Sequence, residues 1–140
     1  MKIAEIMSSN VDRVSAEMPI TEAARKMRED DVGVLPVEAD DRLIGMVTDR
    51  DIVVRVLGTG ADPASATVRD AMSTDVFYVF DDDDPVAVAQ NMGRMKVRRL
   101  PVVNRDKRLV GIVSLGDLAC HVPAEAAGET LKTVCEDLAG

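Results

Sequence analysis

The chain has 140 residues, a net charge of −8 at neutral pH, 46% hydrophobic residues and only 2% aromatic residues. That length holds one domain or two very small ones, and the apolar fraction excludes a disordered chain. The acidic balance argues against direct binding to nucleic acid, and without an apolar run near 18 residues no membrane-spanning helix is expected.

The start, MKIAEIMSSN, lacks the apolar stretch of about 7–15 residues that a signal peptide needs, so a cytoplasmic protein is expected. Val11–Val14 reads as a short extended segment. Ile20, Ala23, Ala24 and Met27 follow at i, i+3, i+4 and i+7, which predicts a helix. GVLPV and RLIGMV are short, β-branched apolar runs divided by a polar turn, so they read as two strands. A helix is expected from Asp49, and LGTGADPASA at 57–66 ends it. VFYVF at Val76–Phe80 is strongly strand-forming. Asp84-Pro85 announces another helix, with Asp as the cap and Pro at the first position; Val88, Met92 and Met95 continue it at i, i+4 and i+7. RRLPVV and RLVGIV repeat the strand pair, and a helix begins at Leu115. Pro123 stops it. Ala127, Leu131, Val134, Cys135 and Leu138 then mark a terminal amphipathic helix, to be packed on its own body or on a second subunit.

The chain is a duplication. IMSSNV matches AMSTDV, and VGVLPV matches VRRLPV; Met7 to Met72, Val32 to Val97 and Pro36 to Pro101 are each offset by 65. Gly45 to Gly111 and Asp51 to Asp117 are offset by 66, so one residue is gained in the turn where EADDR becomes VNRDKR. The unit is β-α-β-β-α, twice. The first repeat, with its lead-in, is placed at 1–60, the linker at 61–66, the second repeat at 67–122 and the terminal helix at 123–140. A half of this size is marginal alone. The copies are therefore expected to pack around a pseudo-twofold axis with a cleft between them, an α+β fold.

GMVTDRDIV and GIVSLGDLA share a hydroxyl three residues before an aspartate. One reading is helix capping: Thr48 or Ser114 caps, with Asp51 or Asp117 at N3, although Asp is shorter than the Glu or Gln that this box prefers. The second reading adds a ligand. A helix N-terminus at a strand end suits an anion, the hydroxyl suits a phosphate, and the acceptor-only carboxylate suits a sugar diol.

With VGVLPV…RLIGMVTDRDIV and VRRLPVVNRDKRLVGIVSLGDLA in ordered tandem, the chain resembles the two halves of a cystathionine-β-synthase (CBS) domain pair, over about Met1 to Val122. In detail it is similar to stand-alone bacterial members, including the hypoxic-response type. The resemblance implies a non-enzymatic sensor module that binds AMP, ADP, ATP, NAD or S-adenosylmethionine between its repeats and requires no cofactor. It also implies a homodimer, read by a protein partner. By position it assigns Thr48 and Asp51 to one site and Ser114 and Asp117 to the other. Backbone at Val11, Gly33 and Val34, and at Val76, Arg98 and Arg99, would cradle the base. Arg98 and Arg99 stand where the first copy has Gly33 and Val34, either as phosphate partners or as solvated charges.

The alternative is a structural or protein-interaction dimer with unoccupied clefts. An enzyme is not expected, because no Ser/His/Asp or Cys/His set exists around the sole histidine, His121. Cys120 and Cys135 read as free thiols; with His121 they are too few for a zinc site. Of the acidic run Asp81–Asp84, only Asp84 is assigned a task, and the run lacks the spacing of a calcium loop.

Overall fold

Strand pairing follows the apolar runs in the computed structural model, which describes residues 1–139, with side chains through Glu136. β1 (Val34–Ala39) and β2 (Arg42–Thr48) are antiparallel, with Val34 opposite Thr48 and Ala39 opposite Arg42. Asp40 and Asp41 turn between them with φ of 53° and 63°, a left-handed pair that short polar side chains tolerate. β3 (Val79–Phe80) runs parallel to β4 (Arg99–Val103), and β4 pairs antiparallel with β5 (Leu109–Ser114). The residue gained in the second copy enlarges that turn. Asn104 Oδ1 there accepts the N–H groups of Asp106 and Arg108, both at 3.0 Å.

The helices are α1 (Ile20–Asp30), α2 (Asp49–Ile52, continued by a π-type turn through Leu57), α3 (Val68–Ala71), α4 (Pro85–Met95), α5 (Leu115–Ala119) and α6 (Ala124–Ala139). The architecture is mixed α+β, as expected, with the terminal helix present. The two lead-in strands are shorter than expected. Val11–Val14 gives only a parallel bridge from Val14 to Val37, and VFYVF gives only Val79–Phe80. Among the described residues β4 offers partners to that strand at Val102 and Val103 alone, and Phe77 and Tyr78 stay exposed.

Packing divides the chain differently from its repeats. One unit is Val11–Val76; the other joins Met1–Asn10 to the chain from Phe77 onward. Each copy's lead-in therefore packs with the other copy's strands. Ser8 and Ile112 exchange backbone hydrogen bonds of 2.8 and 2.9 Å, and Ser73 and Met46 exchange bonds of 2.8 and 3.0 Å. The repeated glycine makes room for this. A Cβ on Gly111 would stand 2.7 Å from the Ser8 carbonyl oxygen, and one on Gly45 would stand 2.8 Å from that of Ser73.

Each unit has an aliphatic core. Ile20, Met27, Leu35, Val37 and Val47 centre the first; Ile3, Val88, Met92, Leu100 and Leu118 centre the second. Equivalent helix positions differ in burial. Ala23 and Met27 are buried on α1, but Ala24, expected in the core stripe, is exposed, whereas its counterpart Ala89 is fully buried. The reason is α6, which lies along α4 and has no counterpart in the first unit.

Gly93 lets the two helices approach closely, since a Cβ there would sit 3.4 Å from Thr133 Cβ. The buried face of α6 is Thr130 and Val134, with Ala126 and Ala127 half-buried. Leu131, expected on that face, is exposed. The side chain of Leu138, from the same expected stripe, lies outside the described residues.

Three of the four acids at 81–84 have structural tasks, not one. Asp84 Oδ2 accepts the Ala87 N–H at 3.1 Å, as its capping role requires. Asp83 Oδ2 accepts the Phe80 N–H at 2.9 Å. Asp82 takes a two-pronged bond from Arg105, at 2.9 and 2.7 Å, and that guanidinium stacks 4.1 Å from the centre of the Phe80 ring. The hydrogen bond from Arg105 holds the Asp82 carboxyl below its ordinary range.

Candidate functional site

Two strand-to-helix mouths carry the predicted hydroxyl and aspartate pairs. β2 ends at Thr48 and α2 starts at Asp49; β5 ends at Ser114 and α5 starts at Leu115. Both caps have extended backbone, at φ −117° and −108°. The Asp51 N–H donates to Thr48 Oγ1 at 3.0 Å, and the Thr48 N–H donates to Asp51 Oδ2 at 2.9 Å. Ser114 and Asp117 repeat both bonds at the same two distances. The short Asp closes the reciprocal box as fully as a Glu would, contrary to the sequence expectation. The extended cap brings the Asp carboxylate within reach of its N–H. Ser114→Ala is expected to lower stability by about 1 kcal/mol, and thermal melting with unchanged far-ultraviolet dichroism checks it.

A third such box stands apart from the repeated strand ends. Thr67 opens α3, and its N–H donates to Asp70 Oδ2 at 2.9 Å. It follows a turn rather than a strand. The box is thus a capping device that the chain uses generally, and position at a strand end separates the two mouths from the third.

Each box leaves one carboxylate oxygen for other work. Asp51 Oδ1 sits 4.0 Å from Arg55 Nε, the outer limit of an ion pair. Both aspartates are half-buried, so each keeps a face to solvent.

The surroundings of the two mouths differ. In the first, the Gly33 carbonyl accepts the Asp49 N–H at 3.0 Å, and a Cβ on Gly33 would meet Asp49 Oδ2 at 3.0 Å. A carboxylate therefore lies against Gly33, a poor neighbour for a phosphate. In the second, the Arg98 carbonyl accepts the Leu115 N–H at 2.8 Å, and apolar Leu115 replaces Asp49. Arg99 is exposed and sits opposite Ser114 in the strand register. Arg98 Nη2 donates to Cys135 Sγ at 3.7 Å, so this guanidinium is turned toward α6. Val11, Gly33, Val34 and Val76 belong to the first packing unit, and Arg98 and Arg99 to the second. Gly45 and Gly111, which admit the lead-in segments, are not marked as such by local pattern; their signal in the sequence is their recurrence at equivalent strand positions.

The chain is thus a tandem pair of α+β modules, each with a capped strand-to-helix mouth. The chain belongs to the CBS domain family, whose model matches residues 3–58 and 68–123. It is 40% identical over 136 residues to Hypoxic response protein 1 of Mycobacterium tuberculosis, covering 96% of this chain and 94% of the relative.

A crystal structure of Hypoxic Response Protein I with two coordinated zinc ions superposes with a TM-score of 0.79 at 40% identity, covering 88% of this chain and all of that one. The CBS domain pair of protein MJ0100, in complex with methylthioadenosine and S-adenosyl-L-methionine, superposes with a TM-score of 0.75 at 25% identity, covering 86% of this chain and 94% of that one. Among the described residues here, no three His, Cys, Asp or Glu side chains gather to hold a metal ion. Among them, too, no helix is long and apolar enough to cross a membrane.

Proposed function

We propose that this protein is a non-enzymatic sensor that binds an adenosyl ligand at its two capped mouths and passes the bound state to a protein partner. One observation carries the reading. Both family repeats fold the same strand-to-helix mouth, and the capping box at each uses only one carboxylate oxygen. The second oxygen accepts from a ribose diol, and Ser114 or Thr48 donates its hydroxyl proton to a phosphate or sulfonium-side carboxylate. The adenosyl ligands in the MJ0100 complex support this choice of ligand class.

The second mouth is the stronger anion site. It exchanges Asp49 for Leu115 and places Arg99 beside Ser114, a guanidinium suited to phosphate. Ligand control requires that the ligand prefer one of two shapes. A homodimer supplies such shapes, and Val53, Val54 and Leu57, exposed together after α2, favour self-association.

The test is thermal melting with AMP, ADP, ATP, NAD and S-adenosylmethionine, together with native mass spectrometry for subunit number and retained ligand. At about 100 times its dissociation constant a ligand adds roughly 2.7 kcal/mol. At least one of the five is expected to do so, and Asp117→Asn is expected to weaken it about tenfold or more. If none of the five raises the melting point, the structural-dimer reading stands instead.

A further inference from the structure

Next to the second mouth, and sharing Arg98, Leu115 and Gly116 with its rim, the second unit holds a hollow of about 350 Å³ between α5 and α6. That volume falls at the small end of ligand sites, roughly 300–1,000 Å³. Leu115 and Ala119 line it from α5, and Ala127 and Leu131 from α6; Gly116 and Gly128 complete it. Among the described residues that line it, Arg98 alone carries a polar side chain. Ser114 and Asp117 do not line it. The wall from α6 lies beyond residues 68–123, the second family match, so the hollow joins the repeat to the segment that follows it.

Three observations say what fits there. Gly128 lies inside a 16-residue helix, where Gly costs about 1 kcal/mol relative to Ala. A Cβ on Gly128 would meet nothing within 4 Å, so close packing does not account for it; the position leaves the hollow open. Leu131 is 51% exposed, a large apolar side chain with surface left to cover. Among the described residues, the partner of the Arg98 guanidinium is a thiol sulfur, at 3.7 Å, a weak acceptor for a group that pairs best with an oxyanion.

We infer that the α5–α6 hollow binds a small amphipathic carboxylate, its hydrocarbon part lying on Leu115, Ala119, Ala127 and Leu131 and its carboxylate on Arg98. A nucleotide is a poor occupant, because among the lining side chains there is no acceptor for a sugar or a base edge.

The test uses the full chain, with octanoate and octanol as probes, followed by amide NMR. Octanoate is expected to shift Gly116, Ala119 and Gly128 with saturation, and octanol to bind at least tenfold more weakly. Gly128→Leu fills the hollow with a better helix former; it should fold and lose octanoate while leaving any response to AMP unchanged. Arg98→Gln should remove the preference for octanoate over octanol. The inference is overturned if octanoate leaves these amides unmoved or fails to saturate, if the alcohol binds equally well, or if binding survives in a folded Gly128→Leu.

Discussion

Gly111→Val is expected to lower stability by about 3 kcal/mol, the upper end of what overpacking costs. The first added carbon would already stand 2.7 Å from the Ser8 carbonyl oxygen. The neighbouring Met7 sulfur, at the same distance, can swing aside; the Ser8 backbone cannot without giving up its two bonds to Ile112. Urea unfolding gives the magnitude. Hydrogen exchange localises it, with the Ser8 and Ile112 amides exchanging first. The contrast is Gly128→Ala, expected to gain about 1 kcal/mol because its Cβ enters open space in a helix. Equal effects at the two glycines would contradict the close approach of the lead-in to β5.

Val134→Asp is expected to cost about 3 kcal/mol, the range of an unpaired charge forced into a core. Val134 is 6% exposed against α4, whereas Leu131, three residues earlier, is 51% exposed. Leu131→Asp is therefore expected to change stability by less than about 0.5 kcal/mol. Melting curves give both values, and limited proteolysis shows whether α6 leaves α4 in the Val134 variant. A similar loss at the two positions would restore the face that helical spacing alone predicted.

Much of this fold is written in local pattern. Paired apolar runs around a polar turn specify β1–β2 and β4–β5, and Asp84-Pro85 specifies the start of α4. The doubled hydroxyl–aspartate spacing locates both mouths. What local pattern leaves out is partnership. Ala24 and Ala89 are the same residue at equivalent positions, yet only one is buried, because α6 covers one helix and not the other. The register of α6 depends on Gly93 opposite Thr133, a contact between segments forty residues apart. The Asp boxes close because the cap backbone is extended, and side-chain length does not reveal that. Likewise, nothing in IMSSNV says that it will cross Gly111 instead of Gly45.

That crossing decides where the polypeptide can be cut. A fragment ending in the linker at 61–66 would keep an arm with no strand to receive it, and its own Gly45 would lie bare without Met72 and Ser73. The severable piece is Val11–Val76, set ten residues out of step with the duplication. Neither ancestral copy is self-sufficient here; each is completed by a segment that its twin donates.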